Sequence, residues 1–227
     1  ILAVGGHLKN TVAYMQGNRL MLSPHIGDLS TSKAMAAHEQ AIVAFTDLYR
    51  NSPEQVAHDA HPDYCSTRIA QAKQINCLSV QHHYAHALAC MADNRIKAPC
   101  LAVVWDGTGY GEDGTVWGGE FLQITAQGYQ RLLHFLPFPL PGGDAAIREP
   151  RRSALGILYT LQVDPDCLYF PASMRRFLWQ ALQQQINSPQ TSSVGRLFDA
   201  VAALLGLCDQ NQFEGESAML VEFTAMQ

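Results

Sequence analysis

The chain opens on three short apolar runs, Ile1 to Val4, Thr11 to Met15 and Arg19 to Leu22, parted by a Gly-Gly turn and by Gly17-Asn18, a pair suited to positive backbone φ. Runs of that length and spacing predict an antiparallel meander. The turn-rich loop SPHIGDLST ends in good N-cap residues, and from Ala34 to Leu48 apolar residues fall at helical spacing. A strand at 55–60, a helix after Ser66, a strand from Cys77 to Val80, a helix from His82 to Asp93 and a strand from Leu101 to Trp105 follow in order. Such alternation predicts an α/β sheet with crossover helices, continued by strands from Thr115 to Ile124 and from Tyr129 to Phe135.

Beyond the connector PFPLPGG the period changes, and helices are predicted from Arg151 to Leu161, Met174 to Ile186, Val194 to Leu205 and Gly215 to Met226. No strand-forming run of comparable quality occurs in that half. The pattern divides the chain into an α/β lobe over 1–135, carrying the His82 helix, and the helical part of a second lobe over 136–227. A helical lobe without its own sheet, an Ile at position 1 and a last segment, EGESAMLVEFTAMQ, that stops without a cap together predict a piece of a longer polypeptide. The missing strands are expected downstream of residue 227.

Composition sharpens this picture in three ways. With 48% hydrophobic and 15% charged residues in 227, the chain has enough apolar surface for a continuous core, which excludes a disordered class. A net charge of -5, with 15 Lys and Arg scattered rather than striped, disfavours nucleic acid as a partner but leaves room for a small phosphate pocket. Neither an apolar stretch of membrane-spanning length nor a signal-peptide pattern is present, and the six cysteines form no C-x-x-C pair. A soluble, cytoplasmic protein with reduced thiols, most of them in the core, is the expectation.

The sharpest chemistry lies in VQHHYAHALA. His82 and His86 are four apart, hence on one helix face, where two imidazoles can share one ion; His83 points elsewhere. The alternative is a polar helix start with a satisfied core histidine. A helix of this length runs about 16 Å out and the following strand about 17 Å back, which returns Asp106 to the histidines. Two imidazoles and a carboxylate suit zinc or iron with a position open to substrate. Asp106 also opens DGTGYGEDG, read either as an anion-cradling turn or as a glycine-rich hairpin, with Glu112 and Asp113 as solvated turn residues.

Two further segments attract attention. PGGDAAIREPRRSALGIL sets Arg148, Arg151 and Arg152 about the start of a helix, where cations oppose the helix dipole; an anionic ligand, or pairing with Glu149 and Asp144, resolves that conflict. TSSVGRLFDA supplies a Ser or Thr cap, a glycine in the first turn, and Asp199 one turn further in. His7, His25, His38, His58, His61 and His134 stand singly and read as structural. The G-x-S-x-G elbow, the Walker loop and the Rossmann glycine pattern are absent from the sequence.

Taken together, GGHLKNT, SPHIGDL, HPDYCSTR, VQHHYAHALA, WDGTGYGEDG, PLPGGDAAIREP, TSSVGRLFDAVAALLG and FEGESAML resemble, in order and over nearly the whole chain, the HypF-type hydrogenase maturation carbamoyltransferases. The similar portion is their Kae1-like domain. The resemblance implies an α/β fold of the actin, hexokinase and Hsp70 (ASKHA) type, with a ribonuclease H-like first lobe and, here, an incomplete, mainly helical second lobe. It implies His82 and His86 as metal ligands with Asp106 as the third. Gly107, Thr108 and Gly109 would face phosphate, and Asp199, with Gly195 before it, the ribose; Gly142, Gly143 and Arg148 are further nucleotide-binding candidates. In the family, a YrdC-like domain of the same polypeptide makes carbamoyl adenylate from carbamoyl phosphate and ATP. The Kae1-like domain passes the carbamoyl group to the C-terminal cysteine of HypE, toward the cyanide ligands of nickel-iron hydrogenase. The acylphosphatase-like, zinc-finger and YrdC-like modules are absent here, as are the family's downstream glycine-rich strand and final aspartate. Antibiotic O-carbamoyltransferases and the tRNA-modifying enzyme share the helix histidines and remain alternatives, as does a docking module without activity of its own.

Overall fold

The opening runs pair as the sequence predicts in the computed structural model, which describes residues 1–226. Leu2–Ala3 (β1), Ala13–Gln16 (β2) and Arg19–Leu22 (β3) form the antiparallel meander, and Gly5 and Gly17 take the positive φ its turns require, 68° and 56°. Helix α1 (Ser32–Tyr49) is capped by Thr31, whose side chain accepts the amide of Ala34. Strand β4 (Gln55–Asp59), helix α2 (Cys65–Gln71) and strand β5 (Asn76–Val80) complete a βαβ unit. The five strands lie in the order β3-β2-β1-β4-β5, with β1, β4 and β5 parallel. Leu2, Val4, Val12, Tyr14 and Val56 close over Ile42 of α1 in the core of this unit, which spans Ile1–Ala85.

Helix α3 (His82–Asp93) has the predicted limits, and the division between the two compact units falls within it, after Ala85. The second unit is built on β6 (Cys100–Tyr110), β7 (Val116–Thr125) and β8 (Gly128–His134), antiparallel neighbours joined by short turns. Strand β9 (Phe138–Pro139), helices α4 (Ala145–Arg148), α5 (Pro150–Leu161) and α6 (Ala172–Gln183), strand β10 (Gln190–Thr191), and helices α7 (Val194–Leu204) and α8 (Glu216–Ala225) follow. Leu155 and Leu158 of α5, Leu178 and Leu182 of α6 and Ala200 of α7 interlock in its core. Gly156 is required on α5, since a Cβ there would drive into the carbonyl of Pro139.

Several expectations are corrected. The alternating elements make two five-stranded sheets rather than one, because β6 turns into an antiparallel pairing with β7 instead of joining β5. A division at 135/136 would cut one of those sheets: β9 and β10, each two residues long, join β7 in the order β6-β7-β10-β9. The helical half therefore does contribute strands, too short to show a hydrophobic period. Asp106 to Tyr110 lie inside β6, with a register shift between Trp105 and Gly109, and the turn proper is Gly111 to Thr115. Asp113 is pinned there rather than solvated, accepting hydrogen bonds from Thr115 and Trp117 and pairing with Arg131. The cysteines are all free thiols, but only Cys208 is buried.

Candidate metal centre

Helix α3 presents His82 and His86 one turn apart, and β6 delivers Asp106 beside them. One ligand atom from each of the three lies within 4.8 Å of the others. His86 Nε2 and Asp106 Oδ2 are 3.6 Å apart, too far for a hydrogen bond. Two donors bound at about 2.1 Å to one tetrahedral ion would stand about 3.4 Å apart, so the observed spacing suits a shared cation. Asp106 is steadied by its other oxygen, Oδ1, which accepts the amide N–H of Gly107 at 2.6 Å. A cavity of about 410 Å³ opens next to this pair, lined by His86, Cys90, Met91, Ile96, Trp105 and Asp106 among others. The larger hollow, about 1060 Å³, is lined instead by residues such as Tyr159, Arg175 and Trp179 and by none of the candidate site residues.

His82 brings a partner that the sequence reading passed over. Its Nδ1 lies 2.7 Å from Oδ2 of Asp59, a carboxylate whose side chain is only 7% exposed. Burial pushes the Asp59 carboxyl up, but hydrogen bonds from the His82 ring and the His61 backbone N–H outweigh it and hold the group below its ordinary 3.8. A signal was available: β4 and β5 are parallel, so Asp59 pairs in register with Val80, two residues before His82. His83, by contrast, is fully buried, with Nδ1 3.2 Å from the Gln81 side-chain amide.

The start of α7 is built tightly onto the Asp106 segment. Ser193 caps the helix by accepting the amide of Arg196, and its hydroxyl donates toward the carbonyls of Asp106 and Gly107 at 3.0 and 2.6 Å. Gly195 packs so close that a Cβ would stand 2.8 Å from Gly107 Cα, and one on Gly118 would stand 2.9 Å from Ser193 Cα. Beneath lies fully buried Glu120, which accepts from Arg131 Nε at 2.6 Å, from the Ser192 hydroxyl at 2.5 Å and from the amides of Gly118 and Gly119. Burial raises the Glu120 carboxyl, yet these donors hold it below its ordinary value.

The nucleotide candidates fare differently. Gly107, Thr108 and Gly109 lie in the irregular stretch of β6 next to Asp106. Asp199, expected to face a ribose, is buried: Oδ1 accepts from Asn211 at 3.2 Å, and Oδ2 lies 2.9 Å from Arg196 Nε, though poorly aligned for a hydrogen bond. Burial pushes the Asp199 carboxyl up against the pull of Arg196, and lowers the Arg196 guanidinium against the pull of Asp199, Asp106 and Glu214. Gly142 and Gly143 form a positive-φ turn, 90° and 55°, packed on Arg152 and Asn187. Arg151 and Arg152 both grip Glu149, so pairing rather than a ligand resolves their conflict with the α5 dipole. Arg148 is exposed at the end of α4.

Known protein families match both parts of the chain. Residues 1–93 match the model of the HypF Kae1-like domain, and residues 102–227 match that of the carbamoyltransferase Kae1-like domain, second subdomain. The chain belongs to the HypF carbamoyltransferase family. It is 40% identical over 246 residues to carbamoyltransferase HypF of Synechocystis, covering 100% of this chain and 32% of that protein. With HypF2 of Cupriavidus necator it shares 38% identity, over 98% of this chain and 28% of the relative. A crystal structure of full-length HypF in a phosphate- and nucleotide-bound form superposes with a TM-score of 0.89 at 38% identity, over 97% of this chain and 30% of that one. HypF of T. kodakarensis gives 0.90 at 32% identity, over 100% and 32%. The chain thus spans about a third of the length of these relatives. Its α/β architecture with mixed sheets is theirs, and among the described residues no helix is long and apolar enough to cross a membrane.

Proposed function

We propose that this chain carries the metal half of a carbamoyl-transfer site, on an actin- and Hsp70-like (ASKHA) framework, with His82, His86 and Asp106 as the ligands of a zinc or iron ion. The reading rests on one observation: two imidazoles and a carboxylate whose donor atoms lie within 4.8 Å, on a helix face and a strand that meet beside a cavity. Their nitrogen and oxygen donors suit such an ion, and three protein ligands leave room for a substrate oxygen. When bound, the ion would polarise a carbamoyl carbonyl or an adjacent phosphate oxygen.

The residues themselves do the rest. His82, His86 and Asp106 fix where a substrate oxygen sits, while Gly107, where an added Cβ would meet nothing within 4 Å, leaves room beside Asp106. The reaction is transfer from carbamoyl adenylate to the terminal cysteine of a HypE-like protein. A C–S bond forms as the C–O bond to the phosphate breaks, the thiol loses its proton, and AMP leaves with the phosphate oxygen. The adenylate would come from ATP and carbamoyl phosphate on a YrdC-like domain of the same polypeptide, and the name of the phosphate- and nucleotide-bound relative supports nucleotide chemistry in the family. The test is metal content and mass-spectrometric detection of carbamoyl transfer to a cysteine peptide, in the chain and in His82→Ala plus His86→Ala. The expected result is metal near one equivalent in the chain and background levels of both metal and transfer in the variant; equal metal in the two removes the assignment.

A further inference from the structure

Nothing in the donor set itself explains why His82 should offer one particular ring nitrogen. Imidazole is ambidentate: whichever nitrogen keeps the proton, the other carries the lone pair that can ligate. The side chain that meets Nδ1 is Asp59, and it is held from several directions. Its Oδ2 takes the 2.7 Å contact to His82, its Oδ1 accepts the backbone N–H of His61 at 2.8 Å, and its backbone carbonyl accepts from Thr67 Oγ1 at 3.0 Å. Strand pairing fixes the main chain as well, with Asp59 opposite Val80 at the end of β4 and β5.

From this geometry we infer that Asp59 is a positioning residue for the metal, fixing His82 as the Nδ1–H tautomer so that the lone pair is on Nε2. The inference rests on the reading of His82 as a ligand. Carboxylates that accept from the outer nitrogen of a ligating histidine set its tautomer, steady its ring and raise its basicity. Here the carboxylate comes from a strand, buried and doubly hydrogen-bonded, so it is placed before any ion arrives. His86 differs: its neighbouring carboxylate, Asp106, is itself a candidate ligand.

The experiment compares the wild-type chain with Asp59→Ala and Asp59→Asn, titrating zinc against a chromogenic chelator and recording ring-nitrogen NMR spectra of His82 in metal-free protein. Asp59→Ala is expected to weaken zinc binding about 10- to 100-fold and to turn the Nδ1–H signature of His82 into a tautomer mixture. Asp59→Asn, which keeps the shape and one acceptor oxygen, should show a smaller shift of both kinds; it carries the test if the alanine variant does not fold. In a His82→Ala background the Asp59 substitutions should add no further loss. Unchanged affinity, or a loss of affinity with the tautomer unchanged, overturns the inference. If the wild-type chain binds no zinc, the proposed metal site fails on its own ground. The metal-free spectra then decide separately: an Nε2–H tautomer in wild-type protein refutes the role of Asp59, and an Nδ1–H form that vanishes in Asp59→Ala upholds it.

Discussion

The starts of α3 and α7 carry the two residue sets to which the sequence points most strongly, and folding puts them in opposite environments. The side chains of His82, His86 and Asp106 keep 23, 57 and 31% of their exposure, whereas those of Arg196 and Asp199 keep 10 and 5%. The first set converges with donor atoms at the surface. The second is buried, with Asp199 accepting from Asn211 and lying 2.9 Å from Arg196. Histidines at helical spacing can be read as ligands because neither packing nor capping needs two of them; a glycine and a carboxylate in a first turn can serve either purpose. Substitutions should accordingly separate: around α7 they act on stability, and around α3 they act on metal.

The largest expected effect is at Arg131, which supports the α7 seat from below. Its guanidinium reaches Glu120, Asp113 and the Ser192 hydroxyl and lies 4.0 Å over the Trp117 ring. Removing it in Arg131→Ala leaves fully buried Glu120 without its cation, a loss of about 3–5 kcal/mol for an uncompensated buried charge. Urea unfolding measures this. A loss below about 1 kcal/mol would mean that the α7 seat does not depend on buried charge pairing, and the contrast between the two regions would weaken.

How much of this could be read in advance follows the same division. Helix α3 was legible to the residue, because its apolar spacing, the start after Gln81 and the break at Asn94 agree. Asp106 was legible from the reach of one helix and one strand. Asp59 was not found, since no local period marks a carboxylate 23 residues upstream; only the parallel register of β4 and β5 brings it to His82. The second sheet was hidden for a similar reason: β9 and β10 are two-residue strands whose pairing depends on partners about 50 and 75 residues away. The glycines of the Asp106 segment and of α7 were noticed as sites for a ligand, although Gly195 also answers to a need within the protein, the close approach to Gly107.

Gly195 offers the intermediate test. In an ordinary helix, alanine in place of glycine stabilises by about 0.5–1 kcal/mol. Here the added methyl would meet backbone at 2.8 Å, which a rotamer change cannot relieve, so Gly195→Ala is expected to destabilise by about 1–3 kcal/mol. Thermal and urea unfolding of the metal-free chain supply the number. Stabilisation instead would show that α7 can move off β6, and that its start has slack for a bound group.

The smallest effect on stability is expected at His86, and it is the most informative. The side chain is more than half exposed, on a helix that accepts alanine readily. His86→Ala should therefore change the unfolding free energy of the metal-free chain by no more than about 0.5 kcal/mol. Zinc should reverse that near-identity. An ion held only by the folded state adds about 2.7 kcal/mol at a hundredfold excess over its dissociation constant, so the wild-type chain should rise in melting temperature with zinc while the variant stays put. A metal-free loss approaching that at Gly195 would place His86 among residues that serve the fold, and the distinction between the α3 and α7 starts would collapse. A zinc-dependent gap between two proteins that are equally stable without the ion would instead tie His86 to the cation alone.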